Sequence, residues 1–248
     1  MKTALIDSDI ILHRAAILTE DESVFDAIQL AKDMHIAWWE ASRAEGYIPC
    51  ISSSESFRKD IYPLYKDNRK DRPKPRHLGE VYIWARTRFS PVTYPKWEAD
   101  DILGFLSTTP THEETIIVTI DKDLDQVPGW HCNPDKETIY EVSADNADLY
   151  RWMQVLSGDT TDGYAGIPGV GIGKARKYLD EIAVGDREAV VKAIYLDKGF
   201  DDLYYQQMLK CATIITHSKE LECELLSADS TEASSLLTIL RLLVQSRQ

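Results

Sequence analysis

Acidic residues fall at the ends of short apolar runs, and this pattern constrains the fold more than any other feature of the chain. Asp7 and Asp9 follow Thr3-Ala4-Leu5-Ile6, and Asp121, Asp123 and Asp125 follow Ile116-Ile117-Val118. Glu98, Asp100 and Asp101 cluster in Trp97-Glu98-Ala99-Asp100-Asp101, while Asp159 and Asp162 sit in Ser157-Gly158-Asp159-Thr160-Thr161-Asp162-Gly163. Each acid alone reads equally well as a helix cap or a solvated surface charge. Four groups that all follow strands or tight turns argue against that. If the segments share one sheet, like charges ~3–5 Å apart raise each other's pKa and oppose folding. Divalent cations resolve the conflict, and hard ions such as Mg²⁺ and Mn²⁺ favour carboxylate oxygens.

Thr3 to Ile6, Tyr47 to Ile51, Val92 to Tyr94 and Thr115 to Ile120 read as strands, the last the richest in β-branched residues. Helical spacing covers Asp26 to Arg43, His77 to Phe89 and Asp100 to Leu106. This alternation predicts an α/β fold with a mainly parallel central sheet flanked by helices. Sites in such sheets form beyond the carboxyl ends of the strands, where these acids lie. Beyond about residue 150 the texture changes to helices and glycine turns. Helices are expected at Ala147 to Leu156, Lys174 to Ile182, Glu188 to Leu196, Asp202 to Ile215 and Glu232 to Val244. The division is therefore an α/β domain over 1–150 and a helical region over 151–248.

The net charge of −13 argues at first against a polyanionic partner. It hides a local stripe: from Arg58 to Arg76 eight basic residues face three acids. Pro63, Pro73 and Pro75 interrupt that stretch, which predicts a loop or arm. The four cysteines show no CxxC spacing and the six histidines no HxxxH spacing, so reduced thiols and no structural zinc are expected. No apolar stretch approaches the ~18–20 residues that span a bilayer, and the start of the chain reaches an acid too soon for a signal peptide. A cytoplasmic protein is the expectation.

Three constellations carry chemistry. Two divalent ions ~3.5–4 Å apart can clamp the attacking and leaving oxygens of a phosphodiester displacement, which gives the acids a role. Gly166-Ile167-Pro168-Gly169-Val170-Gly171-Ile172-Gly173-Lys174-Ala175 allows a tight hairpin whose N–H groups approach a phosphate, with Arg176 nearby. It does not give GxxxxGK[ST], and the bland reading is an ordinary glycine turn. In Tyr65-Lys66-Asp67-Asn68-Arg69-Lys70, Lys66 and Arg69 could stabilise a phosphate and Tyr65 could stack or pack; the alternative is a solvated loop.

Together these motifs resemble the 5′ nucleases: bacteriophage 5′–3′ exonucleases, flap endonucleases and the 5′-nuclease domain of bacterial DNA polymerase I. Asp7 resembles the family's first acid, Phe57-Arg58 with Tyr65-Lys66-Asp67-Asn68-Arg69 its FR…YKxNR segment, and Glu98-Ala99-Asp100-Asp101 its EADD motif. Asp121-Lys122-Asp123 resembles its DxD segment, and Asp159 with Asp162 its paired acids before a helix–three-turn–helix, here about 156–182. The resemblance implies a PIN-like 5′-nuclease fold and a two-metal nuclease acting on 5′ ends or flaps of DNA. Asp7, Glu98, Asp100 and Asp101 would hold the first Mg²⁺ or Mn²⁺; Asp121, Asp123, Asp159 and Asp162 would serve the second. Lys66 and Arg69 would be catalytic. Tyr65, Arg72, Gly169, Gly171, Gly173, Lys174 and Arg176 would contact DNA, with K⁺ in the hairpin and a basic arch over about 62–90. If the chain is phage-encoded, its place is the host cytoplasm.

One departure stands out. The family usually has a second Asp before the FR segment, and by spacing Ser53 occupies that position in Cys50-Ile51-Ser52-Ser53-Ser54-Glu55. Glu55 substitutes, or the enzyme does without, or the acid has been replaced; a weakened ligand is favoured over Glu55. A structure-specific DNA-binding protein with crippled catalysis is thus the alternative, and a PIN-type ribonuclease a third. Asp9 stays unassigned.

Overall fold

Strand β1 (Lys2–Asp7) is an interior strand of a five-stranded sheet, and its alternate residues find apolar partners on both faces. Ala4 and Ile6 pack with Ile116, Val118 and Trp38 on one side, Leu5 with Ile102, Phe105 and Ile117 on the other. Two buried faces are what a parallel strand between helical layers requires. The computed structural model describes residues 2–110, 114–219 and 221.

Helix α1 (Ser8–Leu18) leaves the end of β1 directly. Helix α2 (Val24–Ser42) begins at a reciprocal cap, in which Ser23 Oγ accepts from the Asp26 N–H at 3.3 Å and the Asp26 carboxylate accepts from the Ser23 N–H at 3.1 Å. Then come β2 (Gly46–Cys50), the short α3 (Phe57–Ile61), α4 (Leu78–Arg88), α5 (Ala99–Thr108) and β3 (Glu114–Val118). A hairpin of β4 (Gly129–Asn133) and β5 (Thr138–Val142) completes the sheet. The order is β2-β1-β3-β4-β5, parallel except for the antiparallel edge strand β5. The carboxyl ends of β1, β2 and β3 therefore share one edge, as expected from the acids.

The remaining helices, α6 (Ala144–Ser157), α7 (Ile172–Leu179), α8 (Arg187–Asp197) and α9 (Asp202–Ala212), enclose a second cluster that includes Trp152, Leu156, Tyr195, Tyr205 and Met208. The expected boundary near residue 150 falls inside α6. Residues 213–218 after α9 are not helical, contrary to the expectation of a helix to Ile215. They run back across the sheet domain as a strap, and Ile214 packs into the cluster of Leu5, Phe105 and Ile117.

The sequence reading missed α1, β4 and β5. The apolar run Ile10-Ile11-Leu12 continues that of β1, so no periodicity separates strand from helix. Val92 to Tyr94 forms only one bridge, Val92 to Cys50, and Ser90, the preceding residue on the same side, has a left-handed φ of 46° that no strand can continue through. The expected helix at Glu232 to Val244 lies outside the described residues. Cys50, Cys132 and Cys211 are free thiols. Among the described residues no helix is long and apolar enough to cross a membrane.

The loop after α6 closes on itself through two glycines. Gly158 has φ +67° and Gly166 φ +58°, and a Cβ at either would come within 2.3 Å of the other strand's backbone. Gly158→Ala should therefore destabilise the fold by at least ~2 kcal/mol in urea unfolding. Gly185→Ala, where a Cβ meets nothing within 4 Å, should be near neutral.

Candidate active site

The acids converge. A cleft of about 840 Å³ at the carboxyl edge of the sheet is lined by eight carboxylates: Asp7, Asp9, Glu98, Asp100, Asp121, Asp123, Asp159 and Asp162. Only four obligate cations, Arg14, Lys66, Arg69 and Lys122, share that lining. Asp7 stands at the N-cap position of α1 yet makes no capping bond; it accepts from Thr119 Oγ1 at 2.9 Å. Asp121 accepts from the Asp123 N–H at 2.9 Å, which folds the turn after β3 and turns both carboxylates toward the cleft. Asp159 likewise accepts from the N–H groups of Thr161 and Asp162, at 2.5 and 3.0 Å.

Charge compensation divides this set in two. Lys66 Nζ lies 2.6 Å from Glu98 and 3.6 Å from Asp162, and Arg69 pairs with Asp162. The Tyr65 hydroxyl is within hydrogen-bond reach of Glu98 at 2.7 Å and Asp162 at 2.8 Å. Burial pushes the Glu98 carboxyl up, but Lys66 and Arg58 outweigh it and hold the group below its usual range. Asp7, Asp100 and Asp123 have no such cation. Burial and then Asp9 raise Asp7 to about 7. Burial and then Asp121, Asp159 and Asp162 raise Asp123 to about 7. Burial, Asp7 and Asp121 push Asp100 well above the carboxylate range. Among the described residues no three of these groups are already drawn into metal-binding geometry.

Several expected residues stand elsewhere. Asp101 does not reach the cleft. It is fully buried, receives Arg58 Nη1 and Nη2 at 2.6 and 2.7 Å, and accepts the backbone N–H groups of Glu98 and Ile215. Position three of α5 points back into the fold, whereas Asp100 beside it points out. Tyr65 is 1 % exposed and packs near Tyr164, so it offers no face for stacking on a base. The basic arm is docked at both ends: Asn68 and Arg69 donate to the carbonyls of Thr160 and Thr161, and the Arg76 N–H donates to Glu20. Beyond it, α4 packs through Val81 and Ala85. Arg72 is exposed, away from the cleft lining. In the hairpin Gly169 has φ +78°, Gly171 caps α7, and Gly173, Lys174 and Arg176 lie on that helix.

Ser53 and Glu55 line a neighbouring groove, not the acid cleft. Ser52 is the residue that faces the acids, since one step along an extended chain reverses the face. Its N–H donates to Asp9 at 3.0 Å and its Oγ accepts the Ala99 N–H at 2.9 Å. Tyr82 donates its hydroxyl to the other Asp9 oxygen at 2.8 Å. Asp9 thus brings a carboxylate to the end of β2, which has none of its own. His13, one turn further along α1, also lines the cleft. The signal was the i, i+4 spacing of Asp9 and His13 on a helix the apolar run concealed.

The chain matches, over residues 2–146, the family model described as 5′–3′ exonuclease, N-terminal resolvase-like domain. It is 31% identical over 153 residues to an exodeoxyribonuclease of Enterobacteria phage T3, covering 58% of this chain and 50% of that protein. It is 29% identical over 137 residues to the flap endonuclease Xni of Shewanella oneidensis, covering 50% of this chain and 52% of that one. The chain thus spans about half the length of the curated relatives it matches. Among solved structures, the T5 D15 protein co-crystallised with metal ions shares the fold, with TM-score 0.59, 15% identity, and 86% of this chain and 89% of that chain covered.

An acid whose folded-state pKa exceeds its unfolded value binds its proton more tightly when folded, so stability is lost as pH rises between the two values. In EDTA the melting temperature of the unsubstituted chain, measured against an Asp7→Asn, Asp123→Asn variant, should therefore fall by at least ~3 °C from about pH 5 to about pH 8, equivalent to roughly 1 kcal/mol. His13, His35 and His131, held below their usual range by burial, work in the opposite direction inside this window and cancel in that difference, while Glu98 titrates below it. Thermal scans with Mn²⁺ at the higher pH should recover the loss.

Proposed function

The chain belongs to the 5′–3′ exonuclease family, and from that premise we propose that it is a divalent-metal-dependent nuclease that hydrolyses DNA at 5′ ends or flaps. The observation that carries this reading is the undercompensated half of the cleft: the buried Asp7 and the half-buried Asp100 and Asp123, whose carboxyls are pushed up and form no ion pair within 4 Å among the described residues. Their oxygens are the hard donors that Mg²⁺ and Mn²⁺ favour, so the donor set fits such ions. Asp7, Asp9 and Asp100 would hold one ion; Asp121, Asp123 and Asp159 would hold a second, some through water. The ions would supply Lewis acidity at the phosphate and lower the pKa of the attacking water.

The chain's own groups do the positioning. Lys66 and Arg69, at the rim between the acid cleft and the adjoining serine-lined groove, would stabilise charge on the scissile phosphate. Glu98 and Asp162 hold these two cations in place. The start of α7, with Gly169, Gly171, Gly173, Lys174 and Arg176, would grip backbone phosphates, and the exposed Arg72 would add to it. Such contacts read no bases, so binding should tolerate sequence. A K⁺ ion at the hairpin carbonyls would strengthen the grip. A DNA-binding protein with crippled catalysis is motivated by a missing acid, and the Asp9 carboxylate beside Ser52 supports the catalytic reading over it.

Incubating the purified chain with 5′-labelled duplex and flap DNA should give 5′-phosphorylated products with Mg²⁺ or Mn²⁺ and none with EDTA. Cleavage that survives EDTA, or a digest confined to RNA, would overturn the proposal. Lys66→Met should lower turnover by ~10²–10³-fold while duplex affinity changes little; equal losses would make Lys66 a plain binding residue. Asp9→Asn should weaken Mn²⁺ binding at least ~10-fold, and Ser52→Asp in that background should restore part of it.

A further inference from the structure

Two buried glutamines outside the cleft lining form a directed chain that ends on Asp123. Gln126 lies in the 3₁₀ turn Lys122–Gln126 that carries Asp123, and Gln154 lies on α6. Gln126 Nε2 donates to the Ala212 carbonyl at 2.8 Å, and its Oε1 accepts the Ile214 N–H at 3.4 Å. A carbonyl can only accept and an N–H can only donate, so the strap fixes which way this amide points. Gln126 Nε2 also donates to Gln154 Oε1. Gln154 must then present its nitrogen at the far end, where it donates to Asp123 Oδ1 at 2.5 Å.

The arrangement is costly unless it does something. Two primary amides are buried where apolar side chains would pack without polar groups to satisfy, and each unpaired amide costs ~1–3 kcal/mol. Reversing Gln154 would set its oxygen against the Asp123 carboxylate, and reversing Gln126 would set its oxygen against the Ala212 carbonyl and Gln154 Oε1. The strap backbone forbids that reversal. Donors therefore run in one sense from the Ile214 N–H to Asp123, which leaves Asp123 Oδ2 free to face the cleft.

We propose that Gln154 is a positioning residue for Asp123, and that residues 212–214 dictate its aim through Gln126. This rests on the reading of the cleft as a metal site. It makes the strap, distant in sequence from every cleft acid, part of the machinery that presents one of them.

Counting bound Mn²⁺ by electron paramagnetic resonance tests it without reference to cleavage. Gln154→Met keeps the volume and removes the amide. It should weaken the ion served by Asp123 by ~10–100-fold, the usual range for partners that orient ligands, and leave the other ion unchanged. In an Asp123→Asn background the same substitution should cost nothing further, because the relay then has no ligand to aim. An unchanged Mn²⁺ isotherm for Gln154→Met, or an equal loss in the Asp123→Asn background, would overturn the proposal. Should Gln154→Met fail to unfold cooperatively, Gln126→Met, one link back, must show the same selective loss or the inference fails. If Asp123→Asn itself leaves Mn²⁺ binding intact, the metal reading falls and this inference with it.

Discussion

The buried ion pair of Arg58 and Asp101 is the interaction on which the rest of the arrangement depends. Two charges taken out of water are tolerable only if nearly every hydrogen-bonding position is filled. Here they are: Arg58 meets both Asp101 oxygens, the Glu98 carboxylate and the carbonyls of Cys211 and Thr213, and Asp101 also takes the Ile215 N–H. One guanidinium thereby ties α3, the start of α5 and the strap after α9 together. Removing either partner would leave an unpaired buried charge, a loss of ~3–5 kcal/mol. The carboxyl end of the sheet can hold repelling acids because a well-compensated pair lies behind them.

The division of the acids follows from that pair. Glu98 leans on Lys66 and Arg58, which hold its carboxyl below the usual range, and on the proposed reading it would anchor the cations that face the phosphate. Asp7 and Asp123 receive no such help and Asp100 only a little from Lys66, so burial and the neighbouring acids hold all three above the usual carboxylate range. On the proposed reading a bound divalent ion would displace protons from these groups, which would couple metal affinity to pH. Folding and ion binding would then draw on the same repulsion, and the sheet edge would be less stable alone than with its ions.

Much of this was legible in the sequence. Acids after apolar runs gave the sheet edge, and β-branched Thr115-Ile116-Ile117-Val118 gave a central strand. Asp101 was misread because adjacent residues in a helix's first turn point about 100° apart, and only the buried Arg58 reveals which of Asp100 and Asp101 turns inward. Ser53 was misread for a related reason: strand faces alternate, and counting spacing alone misses the register by one. Asp9 and the glutamine relay depend on elements far apart in the chain, α1 with α4 and the 3₁₀ turn with the strap. No local pattern records such meetings.

Electrostatics also bears on how a polyanion would enter. Eight carboxylates against four cations repel a phosphate backbone at short range. The exposed basic groups, Arg72 on the arm and Lys174 and Arg176 on α7, lie outside that lining and attract it. On the proposed reading a duplex would engage the hairpin and arm first, since their field is favourable without any ion. Only when divalent ions have neutralised Asp7, Asp100 and Asp123 would the cleft accept a phosphodiester. The net charge of −13, which taken alone argues against nucleic acid, is then in part the cleft's own charge. A whole-chain sum misleads wherever acids are gathered to be neutralised by a cofactor.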